Sequence, residues 1–290
     1  MIQIVLLFIL QVHLISARFE YNDTLSRTKF FPIAAGAYND NPTGCLKNRF
    51  GEDSELINVY PVDCDADDTK CFSYVGVSHQ DKAILIGCRG TMTTDQLLAE
   101  ILETMLETHV SAFDNSCLVS EYFFKIYNRT WEAGLKNDIS GLTSKYNDYD
   151  VWVSGHSLGA AICSVTATAI SYYYPKLEKR IKLINFGQPR IGDFSYALLH
   201  NIIVPNSYRL THHKDLIINL PPLNPLWFFH PKTEVFFNND MDPGAEFKIC
   251  EYDEDFSCSN GQFGTSVYEH RHYYKQWVFG YGQSDCSEVV

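Results

Sequence analysis

The chain is short of positive charge, and what it has does not cluster: 23 Lys and Arg stand against 35 Asp and Glu, a formal net charge of -12. An acidic chain without basic runs lacks the electrostatic footprint of a nucleic-acid binder, and equally that of a protein drawn to anionic membranes. Beyond residue 17 no stretch reaches the ~18 apolar residues of a membrane helix. Cys-x-x-Cys pairs, metal-spaced His pairs and phosphate loops are missing, so neither a zinc framework nor nucleotide chemistry is indicated, and no cofactor is expected. No repeat or low-complexity linker divides residues 18–290, which read as one domain.

What is present begins with MIQIVLLFILQVHLISA at 1–17. Its apolar run, Ile2 to Leu10, is too short to span a bilayer, and small residues precede Arg18; this is the pattern of a secretory signal peptide. Nine cysteines suit an oxidising, extracellular destination. Cys64 with Cys71 and Cys250 with Cys258 are close pairs in loop-like sequence, and Cys45 with Cys286 would tie the two ends together. Cys88 ends a strand-like run and Cys163 lies on a helical one, so both suit buried thiols. Of two glycosylation sequons, Asn22-Asp23-Thr24 lies in a polar stretch and is the candidate. In Asn128-Arg129-Thr130, Asn128 falls inside the apolar stripe Phe124, Tyr127, Trp131, Leu135, Ile139, Leu142, so either that register is wrong or Asn128 is unmodified.

Short apolar runs at Ala83–Cys88, Val151–Ser154, Ile181–Phe186, Ser207–Thr211 and Thr233–Phe237 read as doubly buried strands. Helical patterns at Thr94–Thr108, Val119–Tyr146 and Leu158–Tyr174 separate the earlier ones. Alternation of this kind predicts an α/β fold: a mostly parallel central sheet with helices on both faces.

Gly155-His156-Ser157-Leu158-Gly159 fits Gly-x-Ser-x-Gly, a pattern that arises by chance in about one chain in ten of this length. Its setting gives it weight, because a buried strand runs into a helix with Ser157 at the junction. That is the geometry of a nucleophile elbow, where the helix N-terminus faces the site of a developing oxyanion. A serine hydroxyl needs a histidine to take its proton and a carboxylate to hold the histidine, in the chain order Ser, acid, His. Asp215, in the polar turn after SYRLT, is the candidate acid; Asp193, after the preceding strand, reads more easily as a helix cap. Asp240, Asp242, Asp253 and Asp255 sit in acidic loops. His270 is the candidate base, with His272 a competitor on proximity alone. His230 lies among aromatics and suits packing, His212 and His213 stand too close to the acid, and His156 suits a structural hydrogen bond under the elbow.

Taken together, VWVSGHSLGAA with CRGT (Cys88–Thr91), NFGQPRIGD, YRLTHHKDLIINLPP, HPKTEVFF and HRHYY resemble the class 3, fungal-type triacylglycerol lipases of the α/β-hydrolase superfamily, over roughly Ala83 to Tyr274. The cysteine-rich segment before them is similar to secreted nematode members. The resemblance implies Ser157 as nucleophile, Asp215 as acid and His270 as base, the last through a His-x-x-Tyr-aromatic box that His272 does not fit. It also implies an oxyanion hole from the N–H groups of Thr91 and Leu158, and a structural role for His230. Gly159-Ala160 departs from the Gly-Gly often found there. The implied activity is hydrolysis of carboxylic esters of lipids, triacylglycerol first, through an acyl-enzyme at a lipid–water interface. Esters of phospholipid, galactolipid or ferulate, and an inactive lipase-like protein that binds lipid or a partner, remain the alternatives. Leu97, Leu98, Ile101, Leu102, Met105 and Leu106, at helical spacing, read as a core helix in preference to a mobile lid. PPLNPLWFFHP (Pro221–Pro231) forms either an apolar rim or an inward-packed cluster.

Overall fold

The computed structural model describes residues 19–64, 70–92, 109–262, 266–288 and 290. The expected signal peptide at 1–17 and the apolar stripe at 97–106 lie outside them. Eight strands form one sheet: β1 (Glu55–Asp63), β2 (Lys70–Ser78), β3 (Ala83–Cys88), β6 (Asp150–Gly155), β7 (Ile181–Phe186), β8 (Ser207–His212), β9 (Glu234–Phe237) and β10 (Lys248–Cys250), in that spatial order. A hairpin of β4 (His109–Ala112) and β5 (Cys117–Ser120) stands apart from it. From β3 to β9 every pairing is parallel, while β1–β2, β2–β3 and β9–β10 are antiparallel. The five apolar runs of the sequence are the five parallel strands.

Successive side chains on these strands enter different cores, as a pleated strand covered on both faces requires. Ile84, Ile86, Val151, Val153 and Leu183 pack with Phe123 and Ile126 of one helix and Ala161 and Val165 of another. Leu85, Trp152, Ile184, Phe186 and Leu210 face the opposite way, against Phe30, Phe31, Ile33 and the carboxy-terminal Tyr273 and Tyr281. The covering helices are α1 (Phe31–Gly36) on the second face and α2 (Glu121–Thr130), α3 (Leu158–Tyr173) and α4 (Phe194–Ile203) on the first. Among the described residues, no helix is long and apolar enough to cross a membrane.

One stretch departs from the sequence reading. The helical pattern expected from Val119 opens as strand β5 and turns helical at Glu121. After Thr130 it widens into a π-helical turn, Trp131–Leu135, with Gly134 at φ 136. A π turn inserts a residue and rotates the helix beyond it, so a wheel run through both segments misplaces the first. In α2 the buried face is Tyr122, Phe123, Ile126, Tyr127 and Thr130, and Asn128 is exposed.

Four disulfides close. Cys64–Cys71 and Cys250–Cys258 span seven and eight residues, and Cys45–Cys286 spans 241. The fourth pairs Cys88 with Cys163, which corrects the reading of both as thiols. It forms because the end of β3 lies against the first turns of α3, a proximity no local spacing reveals. Cys117 is the free cysteine, with its thiol pushed up to about 11 by burial.

Two measurements test this packing. Replacing the Cys88–Cys163 pair by alanines opens a loop spanning 75 residues, and denaturant unfolding is expected to show a loss of about 4 kcal/mol. His200 is fully buried between the hydroxyls of Thr168 (2.8 Å) and Ser207 (3.0 Å), and burial pushes its pKa down to about 3. The unfolded chain therefore takes up a proton between the ordinary 6.5 and about 3. This contribution to stability is complete above pH 6.5 and falls away as the pH drops towards 3. In melting experiments the Tm of His200→Gln should decline less steeply over that range than that of the parent.

Candidate active site

Strand β6 ends at Gly155 and α3 starts at Leu158, so Ser157 occupies the turn at the carboxyl end of the parallel sheet. Its backbone lies at φ 59, ψ -130, a region that strains any residue with a Cβ by about 1–3 kcal/mol. The turn is held from below: Ser157 N–H donates to the Phe186 carbonyl at 3.0 Å, and the N–H groups of Ala160 and Ala161 donate back to the Ser157 carbonyl. Gly159 is required by close approach, because a Cβ there would lie 2.1 Å from the Cys88 carbonyl oxygen. That contact brings the loop after β3 alongside the turn, where a Cβ on Gly90 would sit 3.1 Å from the Cβ of Ser157.

Asp215 follows β8 and is 0% exposed. Its Oδ1 accepts the Ile217 N–H at 2.8 Å; its Oδ2 accepts His270 Nδ1–H at 2.9 Å and the Tyr273 hydroxyl at 3.2 Å. The acid loop and the short helix α5 (Val267–Arg271) are joined by main chain: Ser266 N–H donates to the Lys214 carbonyl and Leu216 N–H to that of Ser266. Burial, then the Asp215 charge, raises the Tyr273 hydroxyl well above the ordinary tyrosine range, so it stays protonated and donates.

His270 is 1% exposed; with Nδ1 committed to Asp215, its Nε2 is a buried nitrogen without a hydrogen-bond partner. His272 turns away, bonding the Tyr268 carbonyl through Nδ1 at 2.8 Å and stacking on the Tyr268 ring. His156, beside Ser157, supports the histidine from behind. Its Nε2–H donates to the main-chain oxygen of His270 at 2.7 Å, its Nδ1 accepts the Tyr38 hydroxyl at 2.7 Å, and the two imidazoles lie 4.7 Å apart. Burial, with the neighbouring His270, holds the His156 pKa well below the usual histidine range, which keeps this neutral tautomer.

The remaining sequence candidates sort by contact. Asp193 caps α4 by accepting the Tyr196 N–H at 2.8 Å. His230 is buried, and its Nε2 donates to the Ile218 carbonyl. His212 bonds the carbonyls of His272 and Asn239, while His213 reaches the side chain of Asn238. In the proline-rich loop the two readings divide between neighbours: Trp227 is 63% exposed, whereas Phe228 is fully buried against His109.

Thr91 stands between two cavities, and its buried hydroxyl has no partner. One, of about 290 Å³, lies towards Tyr38, His156, Trp277 and Phe279; the other, of about 280 Å³, lies towards Tyr122 and Leu158. The Leu158 N–H opens α3, where the first amides of a helix have no internal acceptor. Two residues of this neighbourhood carried no sequence signal as site members. Tyr38 comes from the helical amino-terminal segment, and Gly187 (φ 58) follows β7 beneath the histidine–carboxylate pair.

A lipase-type sheet with this constellation at its carboxyl edge defines a class: the chain is a carboxylic ester hydrolase of the α/β-hydrolase fold. The family model for class 3 lipases matches residues 85–224. A Caenorhabditis elegans lipase, ZK262.3, is 29% identical over 318 residues, covering 97% of this chain and 88% of its own. A secreted mono- and diacylglycerol lipase A of Penicillium camembertii is 26% identical over 203 residues, 69% of this chain and 62% of that relative's length. A solved triacylglycerol lipase, whose catalytic centre is a serine protease triad, superposes with a TM-score of 0.78 at 22% identity, over 90% of this chain and 98% of that one. In sequence the chain is similar to the class 3 lipases over residues 85–224.

A Cβ placed on Gly187 would lie 2.8 Å from His270 Nδ1 and 3.1 Å from Asp215 Oδ2. Gly187→Ala is therefore expected to displace the pair and lower kcat for a nitrophenyl ester by about 10²-fold. A near-wild-type kcat in a folded variant would show that the pair tolerates displacement.

Proposed function

We propose that the protein is a secreted lipase that cleaves acylglycerols, triacylglycerol foremost, with Ser157, His270 and Asp215 as its triad. The observation that carries this reading is the His270 imidazole, fixed to buried Asp215 through Nδ1 and left with an unpartnered Nε2 behind the strained Ser157 turn. Ser157 Oγ attacks the ester carbonyl carbon as His270 Nε2 takes the hydroxyl proton. The carbonyl oxygen becomes an oxyanion held by the N–H groups of Thr91 and Leu158, and the unpartnered Thr91 hydroxyl supplies a further donor. Collapse of the tetrahedral adduct breaks the bond to the alkoxide; His270 returns its proton to that oxygen, and the glycerol moiety leaves. Water, deprotonated by His270, then attacks the acyl carbon; the bond to Ser157 Oγ breaks, His270 returns the proton to Oγ, and the fatty acid leaves. Asp215 keeps the imidazole in the tautomer both steps need and stabilises its charged form. The cavities on either side of Thr91 suit the two arms of a bound ester. Export rests on the leader at 1–17, the four disulfides and the similarity to secreted relatives, with 18–290 as the mature unit.

Ser157→Ala should lower turnover of a short-chain nitrophenyl ester by at least about 10³-fold without changing the circular dichroism spectrum. His270→Ala should match it while His272→Ala stays within about tenfold of wild type; the reverse order would move the base to His272. A panel of tributyrin, long-chain triacylglycerol and phospholipid, each with and without an interface, tests the ester class. Hydrolysis confined to phospholipid would refute the acylglycerol assignment and leave the triad standing.

A further inference from the structure

Asn128 begins a sequon, and the structure removes the objection raised by its sequence setting. Because the π turn at Trp131–Leu135 changes the helix phase, Asn128 points outward from α2 and not into the core. It also lines a cavity of about 160 Å³ with Phe124, Tyr127, Trp131, Glu132 and Tyr173. Phe124 and Trp131 stand four residues before and three after it, the spacings that share a helix face. Tyr173 comes from α3, 55% exposed, with its ring 5.8 Å from that of Trp131 and tilted by 32°. The cavity thus has an aromatic floor and wall, an exposed carboxylate at Glu132 and an exposed ammonium at Lys136 on its rim.

We propose that Asn128 carries an N-linked glycan whose first sugar is seated on this aromatic cup. The volume suits one pyranose ring; the C–H face of a sugar packs on aromatic faces, and its hydroxyls reach the charged rim. The Thr130 side chain is 1% exposed, with its hydroxyl buried and unpartnered. The folded chain therefore hides the sequon, and the transfer precedes folding of α2. In that step Asn128 Nδ2 attacks C1 of the first N-acetylglucosamine of a lipid-diphosphate-linked oligosaccharide. The C1–O bond to the diphosphate breaks, the diphosphate leaves with the bonding pair, and Nδ2 loses a proton. The site rests on the reading of the protein as exported; it is independent of the hydrolytic mechanism.

The test uses the full chain produced in eukaryotic cells, once with its own leader and once with a heterologous secretion leader, in an Asn22→Gln background. Intact mass before and after removal of N-glycans should show one glycan, retained in Thr130→Ser and lost in Asn128→Gln, with ester hydrolysis unchanged by either. Trimming to a single N-acetylglucosamine should leave the Tm of the glycoprotein intact, while Asn128→Gln lowers it. In Tyr173→Ala the glycan should remain but its effect on Tm should vanish. Unmodified Asn128 in exported protein overturns the site, and an undiminished Tm effect in Tyr173→Ala overturns the seat. A glycan found only with the heterologous leader refutes export by the native leader and leaves the site in place.

Discussion

A carboxylate with no access to water must find its donors inside the protein, and Asp215 imposes that condition on everything around it. Left unpaired, such a charge would destabilise the fold by several kcal/mol, so the segments that reach it are fixed with little freedom. Ile217 supplies a main-chain N–H from the turn after Asp215, His270 an imidazole from α5, and Tyr273 a hydroxyl from the residues just beyond α5. Satisfying one anion therefore anchors two chain segments separated by more than fifty residues. Tyr273 in turn packs edge-on against Phe186 and His156, so the same anion steadies the underside of the Ser157 turn.

Parallel strands all deliver their carboxyl ends to one edge of a sheet, and here four neighbours do so in order. β3 leads to Thr91, β6 to Ser157, β7 to Gly187 and β8 to Asp215. Side chains far apart in sequence become adjacent because strands are adjacent, which is why open α/β sheets hold their chemistry at this edge. The close contact of Gly159 with Cys88 and the bridge from Cys88 to Cys163 add a rigid link between the first two of these loops. Donors that must meet a transient oxyanion gain most from being fixed before the substrate arrives.

Much of this is written plainly in the chain. The five parallel strands are apolar throughout because both faces are covered, and Ser157, Asp215 and His270 occur in the order the fold demands. The sheet margins are not legible. β1 is largely exposed and carries Pro61, and β2 is broken by serines and a glycine, so neither presents a clean apolar run. The orientation of Asn128 is misread when a single helical period is carried through the turn at Trp131–Leu135, where Gly134 leaves helical geometry. Cys88 with Cys163, and Tyr38 with His156, escape for a shared reason: their partners come from distant segments, and no local pattern encodes the meeting. Tyr273 is visible as part of a motif, yet its bond to the carboxylate belongs to three dimensions alone.

The Cys45–Cys286 bridge encloses every described strand, together with Thr91, Ser157, Gly187, Asp215 and His270, within its span of 241 residues. Synthesis runs from the amino terminus, so Cys286 is made after all of them. Until then Cys45 has no native partner and is open to pairing with any of the cysteines made in between. The sheet must therefore hold its first helices in place by packing alone, and the last bond ratifies an arrangement already reached. A cell that oxidises thiols faster than the sheet assembles would offer Cys45 the wrong partners first.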